Sequence, residues 1–369
     1  MQLFVAIFAS AAVILASPFM GQLQSFLRGS LSTANYVLLF GVGVLAAVAG
    51  AIVIGFTRIR ERRQQRLSLL AFALIAGGVY MWVTGTPYAE VNAVERVHFV
   101  EYGLLGLLFY RAFKSAGDPA ILLLPLCAGF IVGTLDEFVQ WFIPVRVGEA
   151  HDVFLNLVSV ACGLLFAVAL LPPITLTRHW RAGSISRVAT AAVCAWIVFA
   201  LFVGNVHLGY AIDEPGIGQF RSHYTPEELK ALQAERAARW KTDPPLTLHR
   251  LSREDQYLDE GLWHVRRRNL TEPVEAWREN LILEKYFLPV LDTPTYASPH
   301  GNRWPAEQRA ELAARVSATP TTFVSAAEPY PIVVWPKRVY WTVAVGVALS
   351  LAALAAIKRQ PLRYQRRVS

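Results

Sequence analysis

The sequence predicts an all-α protein: a polytopic helical membrane bundle of about eight transmembrane helices, with a mainly helical domain inserted before the last of them. Three observations predict it. Of 369 residues, 54% are hydrophobic and only 17% charged, and the mean hydropathy of +0.37 lies above that of soluble chains despite one long hydrophilic stretch. Apolar runs of the roughly 17–25 residues needed to cross about 30 Å of hydrocarbon recur along the chain. Basic residues collect in alternate loops.

The runs cover residues 3–20, 34–56, 67–83, 97–113, 121–141, 153–171, 188–204 and 339–357. The first is short and followed by small residues, as in a signal peptide, but no Lys or Arg precedes its apolar core. It is therefore expected to be a retained helix. Pro125 falls within the fifth run, where neighbouring helices can satisfy the backbone groups it frees.

Orientation follows from the cations. The loop "TRIRERRQQR" carries five Arg, the next basic loop holds Arg111 and Lys114, the third holds Arg178, Arg181 and Arg187, and the C-terminal tail holds Lys358, Arg359, Arg363, Arg366 and Arg367. If the runs alternate, all four lie on one side, which the positive-inside rule makes the cytoplasm. A bacterial inner membrane protein with both termini cytoplasmic is expected. Lys337 and Arg338 stand on the other side beside Trp335, Tyr340 and Trp341, as interfacial anchors. The net charge of +8 is thus a property of cytoplasmic loops, and no nucleic-acid motif accompanies it.

The expected divisions are an N-terminal helix pair with its basic loop (1–66), a helical core (67–172), a cytoplasmic loop and seventh helix (173–208), an extracytoplasmic domain (209–337) and a closing helix with a basic tail (338–369). Cys127, Cys162 and Cys194 all fall in membrane runs, so the outer domain folds without disulfides or a four-cysteine zinc site. Residues 209–335 hold 15 Lys/Arg and 18 Asp/Glu, too balanced for simple docking on anionic lipid.

Within that domain "TPEELKALQAERAARW" opens with Thr225 as cap and Glu228 three residues on, a helix start. "SREDQYLDEGLWHVRRRN" repeats the logic from Ser252. "TEPVEAWRENLILEKYFLPVL" and "WPAEQRAELAARV" are further amphipathic helices, and "FVSAAEPYPIVVW" reads as an extended return to the membrane. Trp240, Trp263, Trp277 and Trp304 are expected in a helical core, with a stacking groove as the sharper alternative. His264 with Arg266, Arg267 and Arg268 is expected on a solvated helix face, and the "NLT" at Asn269 carries no functional weight.

The chemistry gathers elsewhere. "ERVHFVEYGLLGLLFYRAF" places Glu95, Arg96, His98, Glu101 and Tyr102 in the outermost turns of the fourth helix. "GTLDEFVQWFIPVRVGEAHDVFLN" places Asp136, Glu137 and Gln140 at the end of the fifth, before Pro144. Arg146, Glu149, His151 and Asp152 follow in the loop, and Asn156 lies one turn into the sixth helix. Three segments thus bring polar side chains to one level, the outer face. Steps of three or four put Glu95, His98, Glu101 and Tyr102 on one helix face, as they do Asp136 with Gln140 and Asp152 with Asn156. Asp152 also meets the positive end of the sixth helix's dipole. Gly129 and Gly133, just before the acids, predict a close helix approach. Acids near a membrane surface also serve as anchors, and Arg146 could simply pair with one to hold a loop. Carboxylates, His, Arg, Tyr, Gln and Asn together are more chemistry than an anchor needs, and a ligand pocket is expected.

In "ERVHFVEYG", "DEFVQWFIPVR" and "DVFLNLVSVACG" the chain resembles the VanZ-like integral membrane family over residues of about 90–170. That family's pattern of His and Tyr, Asp-Glu then Gln, a Pro-x-Arg turn, then Asp and Asn carries over onto His98, Tyr102, Asp136, Glu137, Gln140, Arg146, Asp152 and Asn156. Val145 and Ser159 stand where glycine is common in the family. The resemblance implies a bacterial cell-envelope protein of the kind associated with reduced susceptibility to glycopeptide antibiotics such as teicoplanin. It implies no settled reaction.

Three readings stay open at this point. In the first, the pocket binds a surface lipid, a lipid-linked precursor or a glycopeptide, Arg146 pairing a phosphate or carboxylate. In the second, the chain is an enzyme acting on a lipid headgroup, with His98, Asp136, Glu137 and Asp152 holding a divalent metal or a carboxylate serving as base. In the third, it is a scaffold whose outer domain recruits an envelope partner. Transport is disfavoured, because no chain of ionisable residues continues toward the cytoplasm. The sequence names no cofactor and leaves metal content open.

Overall fold

The computed structural model describes residues 1–143, 146–173, 179–181, 183–247, 253–316, 323–328 and 330–357. Pro144, Val145, Arg178, Ser252 and the basic tail from Lys358 lie outside the described residues. In chain order the elements are α1 (Gln2–Ser30), α2 (Thr33–Arg58), α3 (Arg63–Val83), α4 (Ala89–Phe113), α5 (Ala120–Phe142), α6 (Ala150–Leu170) and α7 (Ser184–Val206). The strands β1 (Leu208–Glu214) and β2 (Gly218–Ser222) follow, then α8 (Pro226–Arg239), α9 (Arg253–Leu270), α10 (Pro273–Tyr286), α11 (Leu288–Asp292) and α12 (Ala306–Val316). The strand β3 (Val333–Val334) and the helix α13 (Lys337–Ile357) close the chain. These elements form two compact units, one of residues 1–140, 149–202 and 342–369, the other of residues 141–148 and 203–341.

Among the described residues seven helices, α1, α2, α3, α5, α6, α7 and α13, are long and apolar enough to cross a membrane, and the chain is a multi-pass helical membrane protein. The expected fourth run is different. The helix that contains it begins at Ala89 and carries Glu90, Glu95, Arg96, Glu101 and Arg111 along its 25 residues. It is nonetheless central to the first unit, with Tyr102, Leu105, Gly106, Phe109 and Tyr110 buried.

Small residues set how closely these helices pack. A Cβ at Gly163 would collide with the Gly103 backbone and one at Gly106 with that of Val160, so α4 and α6 cross at backbone contact. The close approach expected at Gly129 and Gly133 is also present: a Cβ there would stand 2.6 Å from the Val160 side chain and 3.1 Å from that of Asn156. Around the crossing Ala6, Leu105, Phe109, Val132 and Val160 form an apolar cluster. At the far end of α6, Arg66 Nε and Nη2 donate to the carbonyls of Ala169 and Leu170 at 2.8 and 3.0 Å, and the Tyr110 hydroxyl donates to Leu171 O at 2.6 Å. The carbonyls left over by the helix end are thereby satisfied.

The second unit is mainly helical but contains a three-stranded sheet, ordered β2-β1-β3. The antiparallel pair runs from Tyr210↔Ser222 to Glu214↔Gly218, and β3 lies parallel to β1 through Leu208↔Val333. The extended return thus ends as a strand. The hairpin has a physical signature that helix-seeking patterns overlook: Ile212 and Phe220 point into the core, and the turn uses Gly216 and Gly218 at φ 79° and 131°. Thr225 caps α8 in a reciprocal box with Glu228, as expected.

Two expectations for this unit need correction. His264 and Arg268 are buried rather than solvated. One turn apart on the inner side of α9, His264 shares a hydrogen bond of 2.6 Å with Glu279 Oε2, and Arg268 donates to Asn280 Oδ1 at 3.0 Å and Asn302 O at 2.7 Å. Arg266 is exposed and Arg267 partly so. Trp240 is in the core, whereas Trp263, Trp277 and Trp304 are half-buried beneath the guanidinium groups of Arg266, Arg309 and Arg268. A second buried pair joins His223 Nδ1 to Glu260 Oε1 at 2.6 Å. Burial alone would lower the His223 pKa, but the hydrogen bond and charge of Glu260 outweigh it and raise the ring above its ordinary value.

Candidate functional site

The centre of the polar set is Asp136, six residues before the end of α5 and therefore about 9 Å inside that helix end. It is 1% exposed. Its Oδ1 accepts from the Ser17 hydroxyl at 2.6 Å, and its Oδ2 from the Tyr102 hydroxyl at 2.9 Å and from Gln140 Nε2 at 3.2 Å. Three neutral donors from α1, α4 and α5 thus hold one carboxyl group.

Glu137, 3% exposed, continues the network. Its Oε1 accepts from Gln140 Nε2 at 3.0 Å and its Oε2 from the backbone N–H of Glu149 at 3.2 Å. Gln140, one turn after Asp136, therefore bridges two adjacent acids that face different neighbours. Asn156 is buried on α6 against the glycine-smoothed face of α5, with the Tyr102 ring next to the same spot.

A second, wetter group borders this one. His98 Nδ1 lies 3.3 Å from Glu101 Oε2, both side chains partly exposed, and both are close enough to act electrostatically on Asp136. At the start of α6, Glu149 adopts extended backbone geometry and Asp152 sits in the first helical turn. Burial, with the charges of Asp152 and Glu95 added and that of His151 opposing, pushes the Glu149 carboxyl from an ordinary 4.5 up to about 7.

Of the residues expected at the site, Tyr102, Asp136, Glu137 and Gln140 form one hydrogen-bonded network, with Asn156 packed against it. His98 and Glu101 make a separate pair beside it, and Asp152 belongs to the acidic group around Glu149 and Glu95. Arg146 lies on the segment 141–148 that groups with the second unit, its backbone N–H closing a turn on Ile143 O at 3.2 Å. Ser17 escaped sequence reasoning. Its signal was the spacing of Ala6, Ser10 and Ser17, all buried, small residues at helical steps on one face of an otherwise lipid-like run. Among the described residues, no group of three or more His, Cys, Asp or Glu is placed to hold a metal ion, so the metal-dependent reading has no described donor set.

Residues 42–171 match the VanZ/LLP1 family model. The match begins within α2 and takes in α3, which widens the resemblance from the three motifs to most of five helices. No curated protein and no solved structure matches the chain. Every member of the polar set except Ser17 falls in the matched stretch, and over those residues, about a third of its length, the protein is VanZ-like.

Proposed function

We propose that the polar site of α1, α4, α5 and α6 binds the polar group of an envelope lipid, a lipid-linked precursor or a glycopeptide at the outer face of the bacterial inner membrane, and thereby contributes to tolerance of teicoplanin-type antibiotics. The observation that carries this reading is Asp136: an acid about two turns inside a membrane helix, held by neutral donors from three helices and bordered by a half-exposed His–Glu pair. An ionisable group at such depth is costly and is retained where it has work to do. Donors already aimed at a carboxylate also suit a ligand that approaches from the wetter side.

The outward orientation rests on the basic loops, with Arg58, Arg60, Arg62, Arg63 and Arg66 on the cytoplasmic side. The test compares wild type with Asp136→Asn and Tyr102→Phe, both near-isosteric. Native mass spectrometry of the purified proteins and teicoplanin tolerance in cells are the readouts. Loss of an adduct and at least a fourfold fall in tolerance, at equal protein levels, is the expected result. Unchanged adducts and tolerance in both variants would overturn the reading.

One observation favours the enzyme as a second reading. A carboxyl group at about 7 beside His151 and Asp152 is poised for general acid–base work on a lipid headgroup. A headgroup product that depends on Glu149 would support it, and turnover unaffected by Glu149→Gln would remove it.

A further inference from the structure

On the other side of α4 from Asp136 a groove of about 550 Å³ runs between α2, α3, α4 and α6. On α4 it is lined by Arg96, Phe99, Val100, Gly103, Leu104 and Leu107, a single helical face with its only charge at one end. The placement of α2 and α3 against α4 gives its direction. Trp82, near the end of α3, lies at the Arg96 end, and Ala73, more than two turns back along α3, lies toward Leu107. Thr33 Oγ1 donates to Glu90 Oε1 at 2.8 Å, which sets the N-terminal ends of α2 and α4 side by side. Trp82 is 82% and Leu104 57% exposed, so the groove opens sideways, where a membrane helix meets hydrocarbon.

From Arg96 to Leu107 is eleven residues, about 16 Å of helix. A hydrocarbon core of about 30 Å gives each leaflet half that thickness, so the groove is as long as one acyl chain is deep. Its volume falls in the roughly 300–1,000 Å³ range of small-molecule sites, suited to one chain rather than to a long polyisoprenoid. At its mouth Arg96 is exposed, near enough to Glu95 to act on its charge but in no described hydrogen-bonded ion pair, and a guanidinium there matches a phosphate in charge and geometry.

We propose that this groove is a phospholipid site. One acyl chain lies along α4 between Phe99 and Leu107, and the anionic phosphodiester head is held at Arg96. The site does not depend on the polar network around Asp136 and stands or falls separately from it.

Gly78 supplies the blocking variant. A Cβ at Gly78 meets nothing within 4 Å, and the residue lines the groove, so a side chain can branch from the backbone there and Gly78→Phe is the variant chosen to occupy the space. The full-length protein is placed in nanodiscs of equal phosphatidylglycerol and phosphatidylcholine with identical acyl chains, then released into detergent for native mass spectrometry. Wild type and Asp136→Asn are expected to retain one phosphatidylglycerol per chain. Arg96→Gln is expected to lose the preference for phosphatidylglycerol at least fivefold, Arg96→Lys to recover part of it, and Gly78→Phe to release the lipid at unchanged lipid-free thermal stability. Equal retention in wild type, Arg96→Gln and Gly78→Phe would overturn the proposal. So would retention of a second protein chain in the groove's place, detected as a dimer that Gly78→Phe dissociates. Should Gly78→Phe fail to fold, the headgroup preference of Arg96→Gln decides alone.

Discussion

At Glu149 the sign of a pH dependence follows from burial. The carboxyl group titrates near 4.5 when exposed and at about 7 in the folded chain, so between those values the folded state binds more protons than the unfolded one. Stability therefore falls as pH rises from about 4.5 to 7 and is flat above. Thermal unfolding in detergent across that window should show the decline in wild type and a flatter profile in Glu149→Gln; parallel profiles would count against it. Residue by residue, the site was legible where chemistry is rare in its surroundings. Asp136, Glu137 and Gln140 stand out from an apolar run, whereas Ser17 does not, because a hydroxyl on a membrane helix ordinarily bonds its own backbone, as Ser10 does with Ala6 O at 2.8 Å.

Between elements, the packing of α4 on α6 rests on the absence of side chains. Gly163→Ala forces a methyl group into the Gly103 backbone, and overpacking of this kind costs about 1–3 kcal/mol, occasionally more. Gly43→Ala, where a Cβ meets nothing within 4 Å, should be neutral or stabilising by up to about 1 kcal/mol from helix propensity. A clear fall in Tm for the first and none for the second is expected; equal Tm values would mean that the crossing is looser than described. The sequence announced Gly129 and Gly133 because they adjoin the acids. It was silent about Gly103 and Gly163, whose partners lie on another helix. The hairpin was missed for a related reason: a strand of seven residues is defined by what it pairs with, and the cap and amphipathic signals around it are all helical.

For the whole molecule, hydrophobic thickness made the membrane helices readable, since a bilayer imposes length and polarity directly on the chain. The fourth helix departs from that rule: it buries Tyr102, Leu105, Gly106, Phe109 and Tyr110 in the first unit, yet carries exposed Arg96 and Arg111 and partly exposed acids along its length. Orientation is expected from the basic loops and is testable with single cysteines introduced after replacement of Cys127, Cys162 and Cys194. Asp243→Cys, exposed in the second unit, should react with a membrane-impermeant maleimide on intact spheroplasts, and Glu61→Cys, exposed in the basic loop, only after lysis. The reverse pattern would invert the topology and place the Asp136 site at the cytoplasmic face.

The hydrogen bond between Ser17 and Asp136 spans 119 residues of chain, and this bears on biosynthesis. When α5 leaves the ribosome it carries two adjacent acids that lipid alone accepts only at a cost of about 2.5–3.5 kcal/mol for a charged group at mid-membrane. For Asp136 the donors from other helices, Ser17 and Tyr102, reside on α1 and α4, both already synthesised. Insertion of α5 is therefore expected to wait on earlier helices, which must remain near the insertion machinery instead of diffusing away. A change at Ser17 would then be felt first as a delay in maturation, before any loss of what the finished protein does.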